Sequence, residues 1–268
     1  MSSAGRSQPT LRPASNFATR VRDGFERQAG RYERGAELQR AVAWRLAHHC
    51  RGLPLPAGPC VDLGAGTGLL ARAIEQQRPG LALLRLDNCA ALLGLDQAAD
   101  RLTWDLNLGL PGQLQGASLL VSSFALHWLE QPERHLERWC QSLGPAGWLA
   151  LAVPTAGSFC QWRQAAQAAG LPCSALPLPV ASRLVELASR HLRIERVDHL
   201  RFSRQAPSAL TFLRQIRSLG AGTSPVAPLQ PGEWRRIEAH WPAVPAAEGG
   251  GKRLSWEMLL LVGQKPAP

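Results

Sequence analysis

Three glycines on alternate positions, Gly64, Gly66 and Gly68, form a loop that could bind a nucleotide-like ligand. Asp62 precedes this loop, and Asp87 follows it after about twenty residues. Glycine adopts backbone conformations closed to other residues and lets a ligand approach the main chain. An acid at that distance is placed to accept hydrogen bonds from ribose hydroxyls. The spacing predicts an adenosine-type cofactor at the carboxyl ends of parallel strands, and the alternative is a glycine-rich turn without a cofactor.

Strands and helices must alternate around this loop to place it at a sheet edge. A short apolar run from Cys60 enters the loop, a helical pattern leaves it at Leu69, and a second apolar run at 81–86 leads to Asp87. The alternation continues to about residue 154, with further strands at 102–104, 118–123 and 148–153. This pattern is typical of an α/β fold with a doubly wound, Rossmann-like parallel sheet.

The flanking segments add helices to this core. A helical pattern covers 17–49, and we expect N-terminal cap helices over 17–51, a cofactor-binding core over 60–154 and a lid insertion over 155–220. A helix and a final antiparallel strand (254–262) would complete the sheet within 230–264. We therefore expect a single domain over 17–268, preceded by a disordered tail over 1–16 that could also be an organellar transit segment.

Composition narrows the class of protein. The net charge is +10, and arginine supplies nearly all the basic residues. Either the surface is simply solvated arginine or the partner is acidic. The chain has no apolar run of about 20 residues and no apolar signal core, so we expect a cytoplasmic protein without membrane contact. The six cysteines show no C-x-x-C spacing, which favours free thiols and no metal site.

The loop also indicates which cofactor binds. Its pattern is G-x-G-x-G rather than G-x-G-x-x-G, and with Asp62 it resembles the first motif of the class I S-adenosylmethionine-dependent methyltransferases. The resemblance implies a seven-stranded sheet and S-adenosylmethionine as cofactor. It also implies a set of cofactor-binding residues: Asp62, Gly64, Ala65, Gly66, Gly68, Asp87, Asn88, Asp105, Leu106 and Ser122.

Three of these residues have a structural alternative. Asp105 would contact the adenine amino group beside Leu106, but it could instead cap a helix or turn. Ser122 ends the fourth predicted strand at the cofactor, although serines at a strand end are often turn formers. Asp62 would lie beneath the methionine amino group or fix the glycine loop through backbone hydrogen bonds.

Methyl transfer to an anionic acceptor needs orientation and exclusion of water rather than a catalytic triad. His127 could orient the acceptor, and Trp128 could exclude water, because both directly follow the fourth strand. The Tyr32 hydroxyl could close over the reacting methyl group. Aromatic packing is the alternative for all three candidate catalytic residues.

Three segments resemble one subgroup, the malonyl-acyl-carrier-protein O-methyltransferases of biotin synthesis. They are residues 25–39, residues 123–128 (Ser-Phe-Ala-Leu-His-Trp) and residues 157–162 (Gly-Ser-Phe-Cys-Gln-Trp). The resemblance implies esterification of the free carboxylate of a malonyl thioester, carried by acyl carrier protein or coenzyme A. The chain departs from the subgroup around Asp105 and at Gly144-Pro-Ala-Gly147, where the family commonly has Lys-Pro-Gly-Gly.

Acyl carrier proteins are acidic, and two groups of arginines could dock one. The first group lies on one face of the first predicted helix and consists of Arg20, Arg27, Arg31 and Arg34. The second group lies on the helix at 208–219 and consists of Arg214 and Arg217. We expect a monomer that binds no nucleic acid. Alternatives are a small-molecule O- or N-methyltransferase, an RNA methyltransferase, for which no binding module is evident, and a non-enzymatic cofactor-binding protein.

Overall fold

The computed structural model describes residues 16–97 and 100–267. A seven-stranded sheet forms the centre, with strand order β3-β2-β1-β4-β5-β7-β6. Strands β1 to β5 are parallel, whereas β7 is antiparallel to both β5 and β6. The strands are β1 (Cys60–Leu63), β2 (Leu84–Asp87), β3 (Arg101–Thr103), β4 (Ala117–Ser123), β5 (Leu143–Pro154), β6 (Arg193–Ala206) and β7 (Lys252–Gln264). The predicted doubly wound sheet and its antiparallel final strand are confirmed.

Nine α-helices occur in the described ranges. They are α1 (Asn16–Gly35), α2 (Glu37–Cys50), α3 (Leu69–Gln77), α4 (Ala90–Leu93), α5 (Pro132–Ser142), α6 (Cys160–Ala168), α7 (Ala181–Ser189), α8 (Ala209–Ser218) and α9 (Pro231–His240). Helices α2 and α3 pack on one face of the sheet, and α5 and α7 pack on the other. Because both faces are covered, the central strands are buried along most of their length, as parallel strands in such a sheet are.

The N-terminal helical pattern divides into two helices. We expected cap helices from the pattern over 17–49, and in the structure α1 ends at Gly35 and α2 begins at Glu37. Ala36, between them, has φ −86° and ψ 37°, outside the helical range, and is fully buried. The break lets α2 pack against the sheet while α1 crosses α4 and α8 at the carboxyl ends of the strands.

The segment 155–220 is not a lid insertion throughout. Strand β6 pairs with β7 from Arg193 to Ala206 and so belongs to the central sheet. Helix α7 packs beneath the sheet, with Leu184 in the same core as Trp139 of α5. A lid formed by this segment is therefore restricted to α6 and α8, and its function as a lid stays a prediction.

Helices α6, α8 and α9 have an aromatic core of their own. Trp162, Phe212 and Trp241 are buried together, with ring centroids 6.2 Å apart for Trp162–Trp241 and for Phe212–Trp241. This cluster ties the three helices to β7 through Leu254. It holds α8 in place beside α1.

Three other predictions can be compared with the structure. The tail lies outside the described residues except for Asn16, which begins α1. All six cysteines are free thiols. Within the described ranges, no helix has the length and apolar character that crossing a bilayer requires.

Candidate functional site

A cleft of about 910 Å³ opens at the carboxyl ends of β1, β2 and β4, beneath α1. The glycine loop forms its floor, and the apolar face of α1 forms part of its wall. Of the predicted cofactor-binding residues, the structure brings together eight in this cleft: Asp62, Gly64, Ala65, Gly66, Asp87, Asn88, Asp105 and Leu106. We call it the cofactor cleft.

The glycine loop is fixed by hydrogen bonds to β2. The amides of Gly64 and Ala65 donate to the carbonyl oxygen of Leu86 at 2.7 and 3.0 Å, and the amide of Gly66 donates to Asp87 Oδ2 at 2.8 Å. Gly64 has φ +72°, and a Cβ at this position would collide with the side chain of Ala125. Only glycine fits both the positive φ and the lack of space for a Cβ, so the loop needs glycine at position 64.

Two aspartates of the cleft, the buried Asp62 and the half-buried Asp87, have raised pKa values. Burial raises the pKa of Asp87, although amide donors from Cys89 (2.8 Å) and Gly66 oppose the shift. Burial also raises the pKa of Asp62 to about 7. Asp62 Oδ2 accepts a hydrogen bond from the amide of Ala71 at 3.1 Å, whereas its buried Oδ1 has no partner among the described residues. A buried carboxylate oxygen without a donor is costly, which suits a ligand that brings one.

Two predicted cofactor-binding residues lie outside the lining of the cleft. Gly68 has φ +79° and abuts the carboxylate of Asp96, which would collide with a Cβ there, so this glycine serves loop packing. Ser122 is fully buried, and its hydroxyl donates to the carbonyl oxygen of Leu63 at 2.8 Å. The neighbouring Ser123 lines the cleft instead, because side chains alternate along a strand.

Asp105 both caps a turn and lines the cofactor cleft, which are the two alternatives that the sequence left open. Its carboxylate caps a short 3₁₀ turn, accepting from the amide of Asn107 at 2.9 Å, and the residue also lines the cofactor cleft beside Leu106. Capping uses one oxygen, so a contact of the other with a ligand is compatible with it.

A second cleft of about 1450 Å³ adjoins the first, between α1, α8 and the end of β5. Its walls are largely aromatic and aliphatic, and include Phe159, Trp162 and Trp256. His127 lines this cleft and not the cofactor cleft. Burial lowers the pKa of His127 to about 3, so its imidazole is neutral and can orient a ligand by hydrogen bonding but not by charge. We call this space the acceptor cleft.

Five residues line both clefts and so form the wall where they meet: Phe25, Tyr32, Gln39, Phe124 and Trp128. The Phe25 ring contacts Trp128 edge-on at 5.6 Å and Tyr32 at 6.2 Å between centroids. Burial first, and then the negative charges of Asp87 and Glu33, raise the pKa of Tyr32, so its phenol stays protonated. The predicted Tyr32 and Trp128 therefore lie at the junction of the two clefts.

Sequence reasoning missed three members of this wall as site residues. The spacing of Phe25, Tyr32 and Gln39 would place them on one face of a helix, but such a spacing does not distinguish a site from core packing. Phe124 has φ +56°, an uncommon conformation for an aromatic residue. No sequence signal indicates that conformation.

The predicted docking arginines are exposed and lie on two adjacent helices. Arg20, Arg27, Arg31 and Arg34 are on α1, and Arg214 and Arg217 are on α8. The helices meet closely at Gly24 and Gly220, where a Cβ on either glycine would overlap the other backbone. Arg34 also lines the acceptor cleft, so this arginine surface borders its mouth.

Two known proteins are similar in sequence to most of this chain. The chain is 34% identical over 216 residues to the biotin biosynthesis bifunctional protein BioCD of Bordetella avium, covering 77% of this chain and 44% of that protein. It thus matches less than half the length of that relative. It is 31% identical over 228 residues to malonyl-[acyl-carrier protein] O-methyltransferase of Magnetococcus marinus, covering 78% of this chain and 80% of that enzyme. No family model matches the chain.

A solved structure shows the same fold. A Bacillus halodurans protein classed as a methyltransferase superposes with a TM-score of 0.59 at 12% identity, over 83% of this chain and 99% of that one. At such low identity, the similarity concerns the fold alone.

Proposed function

We propose that this chain, which belongs to the family of malonyl-[acyl-carrier protein] O-methyltransferases, esterifies the free carboxylate of a malonyl thioester on acyl carrier protein. The observation that carries the proposal is the pair of clefts that meet at one wall, one built for an adenosyl cofactor and the other open to a thioester arm. Methyl transfer needs this arrangement, because donor and acceptor must meet in line and away from water.

The residues of the cofactor cleft fit S-adenosylmethionine. The unpartnered Oδ1 of Asp62 can accept a hydrogen bond from the amino group of the methionine portion. Asp87 and Asn88 lie at the end of β2, where ribose hydroxyls would bind, and Leu106 and Asp105 offer an apolar surface and an acceptor for adenine. When bound, the cofactor supplies a methyl group on a positively charged sulfur, which is transferred as the carbon–sulfur bond breaks and a carbon–oxygen bond forms.

The residues of the junction would orient the acceptor without acid–base chemistry. A carboxylate is already the nucleophile and gives up no proton on esterification. Tyr32 remains protonated and can donate one hydrogen bond, while Trp128 and Phe25 exclude water from the reacting atoms. Positioning of this kind can supply on the order of 7–11 kcal/mol of the barrier reduction in favourable systems.

The arginine surface supports a carrier-bound acceptor. Arg34 lines the acceptor cleft and belongs to the exposed arginines of α1 and α8, to which an acidic carrier protein would be attracted. The acceptor would then reach the junction on its flexible arm while the carrier stays outside.

One incubation tests the reaction. The purified protein, S-adenosylmethionine with a labelled methyl group and malonyl-carrier protein should yield a thioester that gains one methyl, which mild ester hydrolysis removes. Malonyl-coenzyme A, free malonate and carrier protein without the malonyl group serve as comparisons. Methylation of a small acid with none of the malonyl thioester would refute the proposal and favour a small-molecule methyltransferase.

Charge reversal tests the docking surface. Arg214→Glu, alone or with Arg217→Glu, should raise KM for malonyl-carrier protein about ten-fold while KM for a short malonyl thioester stays unchanged. Arg51→Glu is the matched control, because Arg51 is exposed, follows the carboxyl end of α2 and lines neither cleft. Equal effects on the two substrates, or an equal effect of the control, would contradict docking there.

A further inference from the structure

Gln39 is the one amide among the five residues that line both clefts, and the others are aromatic. It lies in the first turn of α2, directly after the break at Ala36 that separates α2 from α1. Its amide oxygen is closed off from solvent and has no partner among residues 16–97 and 100–267. The amide NH₂ is not closed off in this way, and it is the donor of Gln39 that a ligand at the junction could contact.

The junction carries no positive charge on its shared side chains. The acceptor cleft does include Arg34 and Arg204, but both are exposed, and Arg204 is paired with Glu37 at 2.8 Å. His127 is neutral. An acceptor carboxylate at the junction would thus meet neutral donors only.

Neutral donors suit a carboxylate that must act as a nucleophile. A guanidinium would form two charge-assisted hydrogen bonds to both oxygens and hold the electron density needed for attack. A single amide or phenol N–H or O–H binds one oxygen and leaves the other free to face the methyl group. In a closed junction with few water molecules, the attraction between the anion and a cationic donor is also stronger than in water.

We propose that the Gln39 side-chain NH₂, together with the Tyr32 hydroxyl, binds the non-attacking oxygen of the acceptor carboxylate and aims the other oxygen at the methyl group. This assignment rests on the proposed function and adds a residue that selects the free acid over its ester. The methyl ester product has no anionic oxygen, so it loses the charge-assisted part of this contact and is released.

Two substitutions of similar shape test the assignment. Gln39→Met keeps the length and removes the donor, and we expect kcat/KM for malonyl-carrier protein to fall by about ten- to a hundred-fold. Gln39→Glu replaces the donor with a carboxylate that repels the acceptor, and the fall should be larger. The affinity for S-adenosylhomocysteine should change by no more than about two-fold in either variant, since the cofactor contacts lie elsewhere in this assignment.

A binding measurement isolates the selection for the free acid. The wild-type protein loaded with S-adenosylhomocysteine should bind a malonyl thioester more tightly than its methyl ester, and Gln39→Met should remove that preference. Gln28→Met is the matched control, because Gln28 lies on α1 and lines neither cleft. It should leave all of these values unchanged.

The outcomes separate this inference from the proposed function. If the wild-type protein does not methylate a malonyl thioester, the proposed function fails, and this inference fails with it. If the wild type is active and Gln39→Met matches it, only the assignment of Gln39 is refuted. If Gln39→Met weakens S-adenosylhomocysteine binding but leaves KM for the acceptor unchanged, Gln39 belongs to the cofactor site instead.

Discussion

Asp62 allows a test in which stability and ligand affinity change in opposite directions. Its carboxyl is 1% exposed, and burial raises its pKa from 3.8 to about 7. An acid whose pKa is raised by folding binds its proton more tightly in the folded state. Its ionisation therefore destabilises the fold, from nothing below about pH 4 to the full amount above about pH 7.

The size of the effect follows from the two pKa values. The ionised Asp62 should lower the free energy of unfolding by about 2 kcal/mol near pH 5 and by about 4 kcal/mol near pH 8. Asp62→Asn removes this ionisation, and the amide oxygen can still accept the hydrogen bond from the amide of Ala71. The variant should therefore be more stable than the wild type, by about 2 kcal/mol more near pH 8 than near pH 5.

Affinity should move the other way. If Asp62 Oδ1 accepts from the amino group of the cofactor, the neutral amide loses a charge-assisted contact, and S-adenosylhomocysteine should bind about ten- to a hundred-fold more weakly. Wild-type affinity should also fall as the pH drops below about 7, because protonation of Asp62 removes the same contact.

Urea unfolding at both pH values and calorimetric titration with S-adenosylhomocysteine measure these quantities. The difference between variant and wild type cancels the contributions of all other titrating groups. A stability difference that does not depend on pH would show that burial does not raise the pKa of Asp62. Unchanged ligand affinity would show that its free oxygen does not meet the cofactor.

Three further substitutions test the loop, the helix above it and the fifth-strand turn. Gly64→Ala forces alanine into a left-handed conformation against Ala125, so we expect the free energy of unfolding to fall by about 3 kcal/mol. Calorimetry should show a fall in Tm of about 6–12 °C. The variant should not bind S-adenosylhomocysteine, and retained binding would contradict the tight fit. Glu33→Gln breaks the 2.5 Å ion pair between α1 and Arg72 of α3. Because Glu33 is half-exposed, the rate of ligand dissociation in stopped flow should rise by no more than about five-fold. An unchanged rate would mean that this ion pair does not hold α1 over the cleft. Ala146→Gly relieves φ +59° and should stabilise the fold by about 0.5–1 kcal/mol in urea with ligand affinity unchanged; destabilisation would show that the turn is unstrained.

The sheet could be predicted from sequence because its signals are local. The glycine loop, the apolar runs and the acid at Asp87 fix the first two parallel strands, and the alternation of elements extends the pattern to β5. Strand β6 lies within the segment 155–220 that we predicted as a lid insertion. Strand β6 pairs with β7, which is far away in the chain, and no local sequence pattern in β6 predicts this pairing.

The site was predicted less completely, for a similar reason. The loop residues, Asp87 and Asp105 follow strand ends, so topology alone brings them together. Gln39 and Phe25 reach the junction only because the chain breaks at Ala36 and α1 crosses α4 and α8. Ser122 and Ser123 differ by one position, and the pleat of β4 decides which one faces the cleft.

The charges that line the two clefts differ with depth, and under the proposed function this arrangement would separate capture of the acceptor from the chemical step. Carboxylates of Asp62 and Asp87 lie in the cofactor cleft, neutral donors lie at the junction, and arginines lie at the outer mouth. Exposed charges are screened by salt within about 10 Å at 0.1 M, whereas buried groups are screened much less. Salt should therefore act on the encounter with an acidic carrier and leave the step at the junction alone. Under the proposed function, the exposed arginines would recruit the substrate, and catalysis at the junction would depend on the absence of such charge.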